Sequence, residues 1–240
     1  QDHQKYNLKM CHSYVNFQYK KHNKTKMDRR LCFKYMSLRN PERLLEIVYR
    51  HQLYAPTINE LNDIKEGYVR FSSTISNDDK KTLLRRLYNE TYVVSTTCET
   101  KSFNGHMFAI YGDCHKGCCL KFYVTSLLKT NIRCDVPWIE KKVDYDSMIK
   151  EISKIDDDTI ADILKIKSKQ WKDESEIRYI KTIDKGKRPY LKIKLLGIYF
   201  GVKVSKRDFN MYNAFIKAFD KNIDVKHLTN KDIDFGFEDE

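Results

Sequence analysis

The chain has 240 residues, of which 41% are hydrophobic, so it is long enough to bury the core of one large domain. Its 45 lysine and arginine residues against 33 acids give a net charge of +12, which favours polyanionic partners such as nucleic acid, phosphates or anionic lipid. No apolar run approaches the roughly 18 residues of a membrane span, and the seven cysteines lack the spacing of a secreted disulfide framework. We therefore expect a cytoplasmic protein, and the start at Gln1 is typical of a processed or trimmed chain.

Residues 1–30 are basic and polar, and they carry aromatic side chains at Tyr6, Tyr14, Phe17 and Tyr19. Aromatic rings interleaved with lysines can stack on single-stranded nucleic acid and neutralise it. The same pattern is typical of an N-terminal helix that docks on a domain, and a lysine-rich source composition would give the same charge. These explanations stay open. We interpret residues 1–30 as a basic appendage, residues 31–219 as one domain and residues 220–240 as an acidic tail.

The first half of the domain alternates short strands with helices. Residues 31–36 alternate as a strand, and Asn40 is the expected cap of a helix with Pro41 at its first position. This helix ends near His51, before a short strand that stops at Pro56. Downstream, the pattern predicts a loop or broken helix over residues 59–67, a strand over 68–71 and a helix capped by Asn77-Asp78-Asp79.

The second half is richer in strands. The apolar patterns predict strands over residues 91–98, 117–124, 138–143, 177–183, 190–196, 197–202 and 225–228. They also predict a loop or short helix over 105–112, two helices within 144–169 separated by residues 156–158, and a last helix capped by Ser205. Strands and helices do not alternate regularly, so we predict an α+β fold with a mixed, mostly antiparallel sheet and flanking helices.

Residues 167–180 run from the basic end of a helical pattern into an alternating strand. They gather Trp171, Glu174, Glu176 and Arg178 at one helix-to-strand junction. Glu176 and Arg178 share a face because side chains alternate along a strand. The pair is either a catalytic or ligand-orienting carboxylate held by an arginine, or a structural ion pair beside a packing tryptophan.

Residues 111–117 form a polar loop between two apolar segments, with two glycines. This loop, which begins at Tyr111, could hold a phosphate or position His115 as an acid or base. A zinc site is not expected, because Cys118 and Cys119 are adjacent and face opposite sides of a strand. Cysteines in an apolar strand are usually inert packing, and no Walker A or dinucleotide-fold glycine pattern occurs.

Four segments together resemble a widespread bacterial family known only as domain of unknown function 2971. They are residues 33–37, residues 110–122, the junction from Lys167 to Arg178, and residues 198–201, in matching order and spacing. The fold of this family is in turn similar to that of ADP-ribosyltransferases. That similarity implies a split sheet and a late glutamate that begins a strand.

The ADP-ribosyltransferase resemblance implies NAD as the cofactor and assigns roles by position. Lys34 and Tyr35 would contact the dinucleotide, and Tyr54 would stack on the nicotinamide side. Glu176 would be the catalytic carboxylate, while Arg178 or Lys34 would bind the pyrophosphate. A carboxylate suits this reaction because the ribosyl centre becomes cationic as nicotinamide leaves.

Three functional hypotheses follow. The first is an NAD-dependent ADP-ribosyltransferase-like enzyme that modifies nucleic acid in a toxin or phage-defence setting, where an antitoxin would be a natural partner. The second is a non-catalytic nucleic-acid-binding protein that uses the basic N-terminal part. The third is a nuclease with Glu174, Glu176 and His115 as metal or acid–base residues, although no acidic pair recurs at ligand spacing elsewhere.

Overall fold

The computed structural model of the chain describes residues 30–63, 65–98, 103–125, 137–145, 151–155, 158–183 and 187–234. From residue 31 onward they belong to one compact unit, Leu31–Glu240. The predicted basic appendage, apart from Arg30, lies outside the described residues. Within the described residues, no helix has the length and apolar character that crossing a membrane requires.

The strands and helices follow one another along the chain without a repeating unit. The strands are β1 (Leu31–Met36), β2 (Gln52–Tyr54), β3 (Arg70–Phe71), β4 (Thr91–Cys98), β5 (Phe103–Asn104), β6 (Cys118–Val124), β7 (Ile139–Lys142), β8 (Glu151–Ile152), β9 (Glu176–Thr182), β10 (Tyr190–Phe200), β11 (Asp224–His227) and β12 (Ile233–Asp234). The α-helices are α1 (Pro41–Arg50), α2 (Asn77–Arg85), α3 (Gly105–Ile110), α4 (Thr159–Leu164) and α5 (Lys206–Phe219). Short 3₁₀ segments cover Ile58–Glu60, Lys169–Glu174 and Asn230–Asp232, and Arg86–Glu90 forms a π-helical turn.

Eight of the described strands form one sheet in the order β11-β10-β6-β1-β4-β9-β7, with β2 also paired to β10. Every pairing in this sheet is antiparallel except that of β10 with β11. Two small parallel pairs, β3 with β8 and β5 with β12, lie outside it. The predicted α+β class and mostly antiparallel sheet are confirmed.

The split sheet implied by the ADP-ribosyltransferase resemblance is not confirmed, because one path of strands runs through the whole sheet. The contact between β1 and β4 is nevertheless short. In the described residues, β1 pairs with β6 along its full length but with β4 only at Cys32↔Cys98 and Phe33↔Thr97. Beyond Phe33, β1 and β4 are therefore no longer paired.

Both faces of the sheet are covered, so successive residues along a strand are buried in different clusters. Leu120 packs in the cluster that includes residues of α1 and α5, whereas the preceding Cys119 packs in the cluster around α3. Val93 and Val94 likewise fall in two different clusters, the first with α2 and α4. The period of two along each strand thus produces the layered core.

Most predicted elements occur at the expected places, but the region before α4 differs. A helix was expected over residues 148–155, yet Glu151–Ile152 is a strand that pairs with Arg70–Phe71. The apolar spacing at Ile152 and Ile155 is compatible with either structure, and pairing with a distant strand decided between them. Residues 146–150 lie outside the described residues.

Three further differences concern element ends. The strands expected over 190–196 and 197–202 are one strand, Tyr190–Phe200, with a register shift between Leu195 and Gly197. Asn40 makes no side-chain capping bond, whereas the Ser205 side chain accepts a hydrogen bond from the Asp208 amide as predicted. The strand predicted over residues 225–228 is confirmed as the edge strand Asp224–His227, which begins one residue earlier and lies within the predicted acidic tail, while residues 235–240 lie outside the described residues.

Candidate functional site

A cleft of about 840 Å³, partly open to solvent, lies where β1 and β4 part. The walls come from β1, β4, the loop after β2, α3 and the junction before β9. The lining residues that matter for its chemistry are Lys34, Tyr35, Glu66, Tyr111, Lys167, Trp171, Glu174 and Glu176. We call this space the first cleft.

The junction before β9 turns both of its glutamates towards the first cleft. The 3₁₀ segment Lys169–Glu174 ends at Ser175, which has a left-handed backbone with φ of 45°. Such a conformation is uncommon for a residue other than glycine, and it occurs more often at functional sites. Glu174 and Glu176, on either side of Ser175, are 4% and 3% exposed and both line the first cleft.

Arg178 lies beneath the first cleft and connects two buried carboxylates. Its Nε and Nη2 donate to Glu176 Oε1 and Oε2 at 2.9 and 3.1 Å. Its Nη1 and Nη2 donate to Glu66 Oε2 and Oε1 at 2.7 and 2.5 Å, and Nη1 also donates to the Leu164 carbonyl at 2.6 Å. These five bonds match the five N–H donors of a guanidinium, and the two carboxylates raise the pKa of Arg178 despite its burial.

Lys167 connects Glu176 to Glu174. Its Nζ donates to Glu174 Oε2 and, at 3.0 Å, to Glu176 Oε2. It also lies 5.1 Å from the ring centroid of Trp171, which is within cation–π range. Tyr111 completes the arrangement, because its hydroxyl donates to Glu174 Oε1 at 2.6 Å. We call Glu66, Lys167, Glu174, Glu176 and Arg178 the buried charge network.

The pKa values of the two carboxylates that share Arg178 shift in opposite directions. Burial opposes the charge on Glu176, but Arg178 and Lys167 outweigh it, aided by a hydrogen bond from Ser95, and lower the pKa of Glu176 to about 2. For Glu66 burial dominates and raises the pKa, even though Arg178 acts against it, and Lys167 Nζ lies 3.9 Å away. Arg178 and Lys167 therefore hold the carboxylate of Glu176 ionised at neutral pH.

Lys34 faces the first cleft from β1. Its Nζ donates to the Ser95 carbonyl at 2.9 Å, across the place where β1 and β4 part. Burial lowers the pKa of Lys34, and the nearby charge of Glu176 opposes this change. Tyr35, one residue further, accepts a hydrogen bond from the Asn104 amide at 3.0 Å, and burial raises the pKa of its phenol.

Most of the predicted site residues meet at the first cleft. Lys34, Tyr35, Tyr111, Glu174 and Glu176 line it, and Arg178 lies directly behind Glu176. Tyr54 is not among the lining residues. Its hydroxyl donates to Glu60 Oε1 at 2.5 Å, and its ring lies 4.5 Å from the Arg188 guanidinium. Since Glu60 lines the first cleft, Tyr54 lies outside its edge.

His115 does not line the first cleft either. It belongs to a tight turn in which Asp113, Cys114 and His115 all have left-handed backbones, with φ of 51°, 52° and 70°. Its ring stacks on Phe108, with the ring centroids 5.9 Å apart, and its carbonyl accepts the Lys203 amide at 3.1 Å. Burial lowers the pKa of His115, and the charge of Lys203 adds to this effect. These contacts give His115 a packing role between α3 and the segment that follows β10.

Sequence reasoning did not identify Glu66 and Lys167 as site residues. Glu66 lay in a predicted loop, and its partner Arg178 is 112 residues away, so no local pattern connects them. Lys167 lies at helical spacing from Ile160, Ile163 and Leu164, on the apolar face of the predicted helix. A lysine on an otherwise apolar face is itself a sign that a buried acidic partner exists.

The described residues contain no group of three or more histidine, cysteine or acidic side chains that could hold a metal ion. Cys118 and Cys119 are buried thiols on opposite faces of β6, as predicted. Burial raises the pKa of both, which keeps them protonated and unreactive at neutral pH.

The structure thus defines an α+β protein with a mostly antiparallel sheet and a cleft placed over a buried charge network. Residues 107–179 match the model of a family described as protein of unknown function (DUF2971), which confirms the predicted resemblance to that family. The matched segment includes Tyr111, Lys167, Glu174, Glu176 and Arg178. No curated protein and no solved structure matches the chain.

Proposed function

We propose that the first cleft binds NAD and that the protein transfers ADP-ribose from it to an acceptor. The observation that carries this proposal is the carboxylate of Glu176, which lines the first cleft and is held ionised by Arg178 and Lys167. A fixed negative charge stabilises the positive charge that develops on the ribose when its bond to nicotinamide breaks. The short pairing between β1 and β4 supports the proposal, because it opens the sheet where the dinucleotide would enter.

The residues around Glu176 support distinct roles in this reaction. Glu174 accepts hydrogen bonds from Tyr111 and Lys167, so about two of its roughly four acceptor positions stay available for a ribose hydroxyl or an acceptor proton. Lys34 donates one bond to the Ser95 carbonyl and has further N–H groups for a phosphate oxygen. Glu176 acts mainly through its charge, because its oxygens already accept bonds from Arg178 and Lys167.

The aromatic contact to nicotinamide is assigned to the lining residues of the first cleft. Trp171 and Tyr111 both line it, whereas Tyr54 does not. The indole Nε1 of Trp171 is buried and has no hydrogen-bond partner among the described residues. An indole N–H beside the bound dinucleotide would donate to one of its oxygens, which would satisfy a group that is otherwise costly to bury.

The test measures thermal stability and nicotinamide release with NAD for wild type, Glu176→Gln and the control Glu90→Gln. Glu90 is 7% exposed and ion-paired to Arg85 but does not line the first cleft, so its variant reports the cost of neutralising a buried glutamate elsewhere. We expect NAD to raise the melting temperature of all three proteins. We expect Glu176→Gln alone to lose nicotinamide release by about 100-fold or more, the scale on which preorganised electrostatic groups act.

Two results would contradict the proposal. One is that NAD neither stabilises the wild-type protein nor releases nicotinamide with any nucleic-acid or protein acceptor. The other is that Glu176→Gln lowers stability without changing turnover, which would make the buried charge network purely structural.

A further inference from the structure

A second cleft of about 1060 Å³, also partly open to solvent, adjoins the first. The two clefts share Asp63, Glu66 and Lys167 as lining residues. Lys167 places its Nζ on Glu174 and Glu176, on the side of the first cleft. The second cleft thus borders the proposed reaction centre along these shared side chains.

One turn connects the wall between the clefts to the outer surface. The Glu66 amide donates to the Asp63 carbonyl at 3.0 Å, and the Tyr68 amide donates to the Lys65 carbonyl at 3.1 Å. Gly67 has a φ of 71°, the left-handed conformation that favours glycine. As a result Glu66 points inward at 7% exposure, while Tyr68 two residues later is 54% exposed.

Outside the buried charge network, the two cations Lys65 and Arg70 outnumber the one carboxylate, Asp63, that lines the second cleft. Lys65 and Arg70 are exposed, line the second cleft and form no side-chain ion pair with the described residues. The charges of Glu66 and Lys167 are already balanced inside the network by Arg178, Glu174 and Glu176. The second cleft therefore offers a large exposed aromatic ring, Tyr68, together with two available cations.

We propose that the second cleft is the acceptor site and that it binds single-stranded nucleic acid. A base would stack on Tyr68, and flanking phosphates would contact Lys65 and Arg70, which is the combination that single-stranded nucleic acids require. The binding itself is independent of NAD, whereas the role as acceptor rests on the proposed function. In the transfer, a base or sugar heteroatom of the nucleic acid forms a bond to ribose C1′. The bond from C1′ to nicotinamide breaks, and the electron pair of that bond leaves with nicotinamide. The proton of the attacking heteroatom passes to water.

The test measures binding of a fluorescently labelled single-stranded oligonucleotide of about 12 nucleotides to the full chain by anisotropy, over a series of salt concentrations. We expect Tyr68→Ala to raise Kd about tenfold, equivalent to about 1.4 kcal/mol. We expect Lys65→Gln with Arg70→Gln to reduce the slope of log K against log salt by about 1.4, or about 0.7 per cation. Both variants change exposed side chains, so their melting temperatures serve as a check on folding.

Matched controls separate this site from general charge effects. Lys206→Gln with Arg207→Gln removes the same two charge types from exposed positions of α5, and Tyr49→Ala removes a ring that is 68% exposed elsewhere. We expect neither control to change Kd more than twofold. Equal losses in the controls and in the variants of the second cleft would overturn the proposal.

Two other outcomes would also overturn it. In the first, neutralising Lys20, Lys21, Lys24 and Lys26 abolishes binding while the variants of the second cleft bind normally, so the N-terminal segment is the binding site. In the second, the oligonucleotide does not bind and ADP-ribose is transferred to protein. If oligonucleotide binding depends on Tyr68 but no nicotinamide is released, the site is established and the proposed NAD chemistry fails.

Discussion

Replacing Arg178 with methionine tests whether the buried charge network holds the first cleft together. Arg178 is fully buried and makes all five of its hydrogen bonds to Glu66, Glu176 and the Leu164 carbonyl. Methionine fills much of the same volume but leaves two buried carboxylates without their shared cation. Removing one member of a buried ion pair costs roughly 3–5 kcal/mol. We expect Arg178→Met to lose stability in that range at pH 7.

The assay is urea unfolding followed by fluorescence and circular dichroism. With a slope of about 3 kcal/mol/M, a loss of 3–5 kcal/mol lowers the unfolding midpoint by about 1–1.7 M. Arg188→Met is the matched control, because Arg188 pairs with Glu60 at 2.8 Å but its side chain is 32% exposed. We expect this control to lose at most about 1 kcal/mol.

Lowering the pH adds a second readout for Arg178→Met. Without the guanidinium, burial raises the pKa of Glu66 and Glu176 above their unfolded values. Protonation of the two carboxylates then removes the cost of burying their charge. The stability difference between Arg178→Met and wild type should therefore shrink as the pH falls from 7 to 5. A midpoint shift below about 0.3 M, or a deficit that does not depend on pH, would refute the assignment of Arg178 as the centre of the network.

Two further predictions concern Glu176 and the turn that contains His115. Glu176 has a folded pKa of about 2, below its unfolded value, so it contributes stability above about pH 4.5 that is lost as the pH falls towards 2. Urea unfolding at several pH values measures the stability difference between wild type and Glu176→Gln, which should therefore decrease over this interval. A constant difference would contradict the lowered pKa of Glu176. Gly201→Ala should lower the free energy of unfolding by about 2 kcal/mol or more in the same assay, because the new Cβ would lie 2.3 Å from the His115 carbonyl oxygen. If the variant is as stable as wild type, the packing between Gly201 and His115 is loose.

Local sequence patterns predicted much of the fold. The alternation at residues 31–36 and 91–98 gave β1 and β4 with the observed bounds, because each strand buries side chains on both faces in a period of two. The same period placed Cys118 and Cys119 on opposite faces and made Glu176 and Arg178 neighbours, and the bond between Arg178 Nε and Glu176 Oε1 confirms that contact. The Ser205 cap also followed from a signal only three residues long.

The positions of Tyr54 and His115 outside the first cleft did not follow from local patterns. Both residues had suitable chemistry, yet Tyr54 reaches Glu60 outside the first cleft and His115 packs on Phe108. The helix expected over residues 148–155 shows the same limit, since Glu151–Ile152 pairs with a strand about 80 positions earlier in the chain. For this last element a contact with a distant segment determined the outcome.

The sequence by itself determined the period of each strand, the ends of several helices and the presence of acidic and basic groups at the junction before β9. The tertiary structure decided that β1 and β4 part beyond Phe33, that Glu66 comes to Arg178 from 112 positions away, and that two clefts share Lys167. The physical reason is the distance along the chain over which each interaction acts. Backbone periodicity and capping act over a few residues, whereas the pKa of Glu176 and the shape of a cleft depend on groups brought together by the packing of the whole sheet.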